Sequence, residues 1–314
     1  MERTQFVIEA AEVESMAKES GLTVLQLLPS VVKTAQKLAR PPISKYHVGA
    51  VGLCSDGRIF FGVNLEFPGL PLHHSVHAEQ FLITNISING DTHLNYIAVS
   101  AAPCGHCRQF LQEIRSASDI QILITSTENE DNQEDIFRPV SYFLPHRFGP
   151  DDLLDKDVPL LLEPHHNGLI FKDNLSNPSS NPNNRCNGVA DYKEDELKFA
   201  ALEAANKSHA PYSGCPSGVA LMDSKGKIYR GSYVESAAYN PSLGPVQAAM
   251  VAYVASGGGD GYEKIVAGVL VEKEGAVVRQ EGTAQLLLQS VSPKCDFRVF
   301  HCNSISCNCK KPCS

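Results

Sequence analysis

The chain has 314 residues, 43% of them hydrophobic, with 35 acidic against 27 basic side chains and a net charge of −8. This length allows one large domain or two ordinary ones, and the apolar share excludes global disorder. The acidic balance, with no basic run, argues against nucleic acid as a partner and favours a small neutral substrate.

No stretch approaches the ~18 uninterrupted apolar residues of a membrane span. Residues 1–9 lack the long apolar segment of a secretory signal. A cytoplasmic protein with no membrane partner is therefore expected. Ten cysteines in such a chain point more to metal binding or chemistry than to disulfides.

In chain order, Leu25 to Ala39 carries apolar residues at helical spacing, with Pro29 tolerable only in a first turn. Val48 to Cys54 and Arg58 to Glu66 flank the turn signal Ser55-Asp56-Gly57, which predicts a hairpin. His77 to Ile88 reads as a helix, Asn95 to Ser100 as a strand, Cys104 to Arg115 as a helix and Ile120 to Thr125 as a strand. This order predicts an α/β unit, a mixed sheet flanked by helices.

The chain also repeats itself. Pro42-Ile43-Ser44 returns as Pro211-Tyr212-Ser213, an offset of 211 − 42 = 169. Gly49-Ala50-Val51, Gly62 and Asn64-Leu65-Glu66 return at the same offset as Gly218-Val219-Ala220, Gly231 and Tyr233-Val234-Glu235. Allowing one inserted residue, Val76-His77-Ala78-Glu79 faces Val246-Gln247-Ala248-Ala249. Two tandem units are expected: residues 1–175, then an Asn/Ser/Pro-rich linker at 176–189, a second unit at 190–300 and a cysteine-rich tail at 301–314.

Two motifs in the first unit carry chemistry, His77-Ala78-Glu79 and Pro103-Cys104-Gly105-His106-Cys107. Cysteines three apart in a first helical turn face the same side. Two thiolates and one imidazole suit zinc and leave its fourth position open. Each motif begins a helix, whose positive end favours thiolate over thiol. Glu79, two residues past His77, is placed to move protons without binding the metal. His106 lies inside the helix and is expected to point away, as an ordinary surface or supporting side chain. His-x-Glu followed by Pro-Cys-x-x-Cys is the known signature of zinc nucleobase deaminases, in which a hydroxide attacks the ring carbon bearing the amine.

These residues closely resemble the cytidine deaminase family, and in particular its two-domain, homodimeric branch of plants and some bacteria. The resemblance covers nearly the whole chain. It implies hydrolysis of cytidine and deoxycytidine to the uridines plus ammonia, in pyrimidine salvage, by a homodimer with one Zn2+ per chain held by His77, Cys104 and Cys107. Glu79 would be the proton shuttle. The family's Asn-x-Glu segment, which holds ribose hydroxyls, stands here as Asn64-Leu65-Glu66. Taken alone, Asn64 also reads as a strand-end turn and Glu66 as an exposed carboxylate. Family aromatics at the base correspond to Tyr46 and Phe148, each of which either lines the site or is plain core. Backbone groups of Ala78 and Ala102 are expected on the base. In the second unit Gln247, Ala249, Glu281 and Ala284 would stand for His77, Glu79, Cys104 and Cys107, leaving no zinc ligands. A silent, zinc-binding scaffold and a deaminase of nucleotides or of free cytosine are the rival readings. The Asn-x-Glu segment and the acidic charge favour the nucleoside. The tail cysteines Cys302, Cys307, Cys309 and Cys313 match no usual zinc spacing.

Overall fold

The computed structural model describes residues 6–90, 93–125, 136–171, 189–259 and 261–304. The first half runs β1 (Val7–Ile8), α1 (Ala10–Ser20), α2 (Val24–Lys37), β2 (Gly49–Cys54), β3 (Ile59–Val63), α3 (Ala78–Ile88), β4 (Leu94–Val99), α4 (Gly105–Phe110), β5 (Gln121–Ile124), β6 (Arg138–Pro139) and α5 (Val140–Phe143). The second runs β7 (Leu169–Ile170), α6 (Val189–Asn206), β8 (Ser217–Asp223), β9 (Ile228–Ser232), α7 (Pro245–Ala255), β10 (Ile265–Lys273), α8 (Glu281–Val291) and β11 (Asp296–Ser304).

Two mixed sheets result, ordered β1-β3-β2-β4-β5-β6 and β7-β11-β10-β8-β9. Each contains an antiparallel hairpin, β2–β3 or β8–β9, and one parallel pair, β4–β5 or β10–β11. A parallel pair needs a crossover, and α4 and α8 stand in those two crossovers. The α/β class read from the sequence is what the chain forms.

The two sheets are joined through their central helices. Residues 78–86 of α3 and 245–254 of α7 are buried on every side; α7 is apolar almost all round, whereas α3 also buries Glu79, Gln80, Thr84 and Asn85. Each covers its own sheet, and α3 packs against α7. The packing is close because of glycine: a Cβ on Gly62 would fall 2.2 Å from Ala78 O, and one on Gly231 would fall 2.2 Å from Pro245 O. One hydrophobic cluster therefore runs through both units, from Phe81 and Leu82 to Met250 and Val251, and a second, around Leu169, Leu197 and Val271, lies in the second unit.

Several expectations need correcting. Pro29 is the sixth residue of α2, not in its first turn, because Thr23 and Gln26 form a capping box that starts the helix at Val24. The helix loses one internal hydrogen bond to it. The helix expected to reach Arg115 ends at Phe110, continues as a 3-10 turn over Leu111–Glu113 and becomes extended at Ile114. Strand β7, within the 1–175 span expected for the first unit, pairs with β11 of the second sheet. Cys302 is not a tail residue: β11 runs to Ser304, and Cys302 is buried in register with Lys273. Most of the expected linker, and Cys186, Cys307, Cys309 and Cys313, lie outside the described residues.

The repeat alignment also shifts. Leu65 pairs with Val76, and its counterpart Val234 pairs with Leu243. Gly62 abuts Ala78 and Leu82, while Gly231 abuts Pro245 and Ala249. The offset at these helices is thus 243 − 76 = 167, a deletion of two residues instead of an insertion of one. Gly244 stands at the place of His77 and Val246 at that of Glu79.

The turn before each hairpin is the same. The Lys45 amide donates to Pro41 O at 3.0 Å, and the Gly214 amide donates to Ala210 O at 3.1 Å. Both central residues are left-handed, Gly214 at φ 63° and Lys45 at φ 60°. Glycine adopts that conformation freely, whereas lysine does so at a cost of about 1–2 kcal/mol.

Candidate metal centre and substrate cavity

His77 is the residue that caps the N-terminus of α3, and Cys104 caps α4, with Cys107 in its first turn. Two helix N-termini therefore converge on one point, where their free amides and dipoles favour anionic ligands. His77 Nδ1 lies 3.4 Å from Cys104 Sγ and 3.3 Å from Cys107 Sγ, and the two sulfurs are 3.6 Å apart. Ligands held at about 2.0 Å (nitrogen) and 2.3 Å (sulfur) around a tetrahedral ion would be separated by roughly 3.5–3.8 Å, so the three atoms fit zinc. This trio is the group of potential metal ligands found among the described residues.

Glu79, the second residue of α3, is buried against the trio, and Cys107 Sγ donates to its Oε2 at 3.1 Å. Burial raises the Glu79 carboxyl above its ordinary value, against the bond from Cys107, so the group holds a proton more readily than a free carboxylate. Hydrogen bonds with Cys107 and His77 bring the Cys104 thiol down to about 3. The same bond, together with burial, pushes Cys107 up. The bond to Cys104 raises His77 despite its burial.

A cavity of about 440 Å³ opens at the trio, lined among others by His77, Glu79, Cys104, Ala78, Ala102, Asn64 and Glu66. Tyr46 lines it too and is 60% exposed. Glu66 receives Ile43 N at 2.8 Å, Ser44 N at 2.9 Å and Ser44 Oγ at 2.5 Å. Burial works to raise its carboxyl, but these bonds outweigh it and hold the group below its ordinary value, an anion in place. Asn64 receives Val48 N through Oδ1 and donates from Nδ2 to Tyr46 O, both at 2.9 Å, so it ties down the turn as well as facing the cavity.

The description "Cytidine and deoxycytidylate deaminase zinc-binding region" matches residues 23–123 and again residues 140–285. Cytidine deaminase 1 of Arabidopsis thaliana is 63% identical over 307 residues, spanning 96% of this chain and 99% of the relative. Cytidine deaminase 6 of the same plant is 49% identical over 294 residues, 92% and 96% of the two chains. A solved mutant cytidine deaminase from Mycobacterium tuberculosis is 27% identical, covering 41% of this chain and 98% of its own, with a TM-score of 0.35. The chain belongs to the cytidine deaminase family. The family's zinc chemistry and the His/Cys/Cys trio agree.

Phe148 stands elsewhere than expected, and His106 takes the supporting one of its two expected places. Phe148 is not part of the cavity wall; it is 46% exposed, and its carbonyl accepts from Gln109. His106 does not point into solvent: its ring stacks on His77 with centroids 4.9 Å apart, and its Nε2 is buried with no hydrogen-bond partner among the described residues. Burial lowers its pKa, so it is a neutral, flat support for the His77 ring. Ile43, Ser44, Val48 and Leu72 also line the cavity. The repeated Pro-x-Ser signal pointed at Ser44, but Leu72 had no motif to mark it.

In the second unit the matching helix caps are different residues. Gly244 and Gln280 cap α7 and α8, where His77 and Cys104 cap the first-unit helices. Gln280 N donates to the buried Glu272 at 2.9 Å. Glu235 keeps the role of Glu66, accepting from Tyr212 N, Ser213 N and Ser213 Oγ. The loop framework thus survives without the metal ligands.

Proposed function

We propose that this chain hydrolyses cytidine and deoxycytidine to uridine and deoxyuridine, releasing ammonia. The observation that carries the reading is the buried Glu79 touching a tetrahedrally spaced His/Cys/Cys trio in a cavity also lined by a sugar-competent carboxylate. His77, Cys104 and Cys107 would hold zinc. When bound, zinc supplies a Lewis acid that makes water a nucleophile near neutral pH.

Glu79 then handles the protons. The water oxygen bonds to the ring carbon that bears the exocyclic amine. Its two protons pass through Glu79, one to the ring nitrogen and one to the amine. The carbon–nitrogen bond breaks and ammonia departs. A carboxyl whose pKa burial has raised suits both directions of transfer. Asn64 and Glu66 orient the sugar hydroxyls, backbone groups of Ala78 and Ala102 meet the base, and Tyr46 closes the rim. His106 acts as a positioning residue through its stack on His77.

The reading includes a cytoplasmic homodimer working in pyrimidine salvage. It is supported by the exposed apolar side chains Ile43, Tyr46 and Leu72 at the cavity mouth, which a second chain would cover. Among the described residues no helix is long and apolar enough to cross a membrane. An ultraviolet assay of the purified protein with cytidine, deoxycytidine, the 5′-monophosphate and free cytosine tests the proposal. Turnover of the first two is expected, and its absence in zinc-replete protein would overturn the reading.

A further inference from the structure

The two sheets end differently. In the first, β1 lies outside β3, with Val7 opposite Phe60 and Ile8 opposite Ile59. The Phe6 carbonyl accepts from Phe61 N at 2.9 Å and from Asn85 Nδ2 at 3.0 Å. The Phe6 ring stacks on Phe81 of α3, with centroids 5.3 Å apart. In the second, β9 ends the sheet, and no described strand lies outside it. Gly231 is the counterpart of Gly62, 231 − 62 = 169, so Ile228, Tyr229 and Arg230 stand for Ile59, Phe60 and Phe61. The Asp223 amide donates to Lys227 O, which fixes the alternation along β9. Tyr229 and Gly231 therefore bond to β8, while the amides and carbonyls of Ile228, Arg230 and Ser232 point outward.

A cavity of about 210 Å³ runs along this edge, lined by every residue of β9. Arg230 reaches Glu203 of α6, and Gly231, the next residue, abuts Ala249 of α7, so the two helices lie on opposite faces of the sheet. Ala204 and Lys207 of α6 and Ala252 and Ser256 of α7 all line the cavity, which places it at the edge and not beneath one face. At the helix offset of 167, Ala252 stands for Asn85 and Ala248 for Phe81. Small side chains thus leave room for a large one where the first unit is closed by Phe6 and its partners.

We propose that β9 is a docking edge, to which an extended peptide of another protein adds as an antiparallel strand with an aromatic side chain set into the cavity. The template is the first unit's own β1, which does this on β3. Main-chain bonds would give affinity and the aromatic slot specificity. The occupant is not a spare part of this chain: residues 1–5, 126–135, 172–188 and 305–314, outside the described ones, contain no aromatic. Lys207 and Arg230 share Glu203, the acid among the lining residues, so the rim is net positive and favours a peptide that carries acids. This docking does not depend on the metal trio, and it gives the unit without the trio a use.

The test is fluorescence anisotropy with a labelled peptide of residues 4–12, which holds the Phe6-Val7-Ile8-Glu9 template, added to the full chain. A Kd of about 10–100 µM is expected. The Phe6→Ala peptide should bind at least about tenfold more weakly, and N-methylation at Ile8 should abolish binding. Neither change touches the protein. In the chain, Arg230→Ala should cost less than about fivefold. Arg230→Pro removes an outward N–H, spares the β8 ladder and should cost about tenfold more than Arg230→Ala, with the melting temperature of both variants measured alongside. Hydrogen exchange should slow over residues 228–232 when the peptide binds. Absent binding, equal binding of the Phe6→Ala peptide, or protection on β3 by exchange with the chain's own β1 overturns the docking edge. Protection over 228–232 before any peptide is added overturns it too, because the chain would then cover its own edge.

Discussion

The two halves of this chain share a four-stranded sheet order, β3-β2-β4-β5 and β9-β8-β10-β11, and the turn before each hairpin, but differ at their helix caps. In the first, helix caps are His77 and Cys104; in the second they are Gly244 and Gln280. Both retain a carboxylate, Glu66 or Glu235, tied to the amides of the preceding turn. The contrast separates what the fold needs from what the chemistry needs. The turn-binding glutamate is structural in both units, because it keeps the same bonds in the unit where the described residues hold no His/Cys/Cys trio. The caps are free to change, because a helix terminus accepts many groups in place of a metal ligand.

The units also reach across to each other in unequal ways. Arg40 crosses to the Gly258 carbonyl and the Tyr262 ring. Its counterpart His209 meets Glu113, which also takes the Tyr212 hydroxyl at 2.6 Å and Ala237 N at 2.7 Å. Glu113 is completely buried, so a first-unit carboxylate is held among His209, Tyr212 and Ala237 of the second unit.

The largest effect expected from breaking this comparison is at Glu79. Glu79→Gln should retain zinc and lose about 10²–10⁴-fold or more in kcat, since one group serves several proton transfers. Val246→Glu, which rebuilds a carboxylate at the matching place, should add no activity. Elemental analysis sharpens the point: one zinc per chain is expected, Cys104→Ala should remove it and Gln280→Ala should not. Two tightly held zinc ions would show that the second unit is not empty of ligands.

Next in size is Glu113→Ala, which strands three donors, His209 and Ala237 buried and Tyr212 half-buried. A loss of about 3–5 kcal/mol of stability is expected, read as a lowered denaturation midpoint; an unchanged midpoint would mean that the units are not joined through this carboxylate. Glu66→Ala should lower kcat/KM for cytidine roughly tenfold to a hundredfold, on the scale of about 1.5–3 kcal/mol for a bond to a charged group. The smallest effect separates the two turns. Gly214→Lys should destabilise by about 1–2 kcal/mol, whereas Lys45→Gly should be neutral or slightly stabilising. Thermal melts that reverse this order would show that Lys45 is not strained.

The metal site was legible because its parts are local. A ligand at a helix cap and one three residues on are fixed by chain geometry alone, and the hairpin turns announce themselves by glycine. Helix α1 was not legible, since only Val13 and Ala17 of its eleven residues are buried and the apolar stripe is too thin to read. The repeat register slipped for a physical reason. Reading 170 for 167 is an error of three residues, close to one helical turn, and α7 is apolar on every face, so either register looks equally hydrophobic. The stack of His106 on His77, the placing of Phe148 outside the cavity and the burial of Glu113 depend on tertiary approach, which no local pattern encodes.

The pairing of α3 with α7 also sets a timetable for synthesis. Helix α3 ends at Ile88 and α7 begins at Pro245, so 245 − 88 − 1 = 156 residues lie between a buried helix and its cover. At about 5–20 residues per second, the nascent chain waits roughly 8–30 s with that face uncovered. During that interval the ribosome-bound first half is an aggregation-prone client for chaperones, and a slow codon tract or a premature stop before α7 would prolong the exposure or make it permanent.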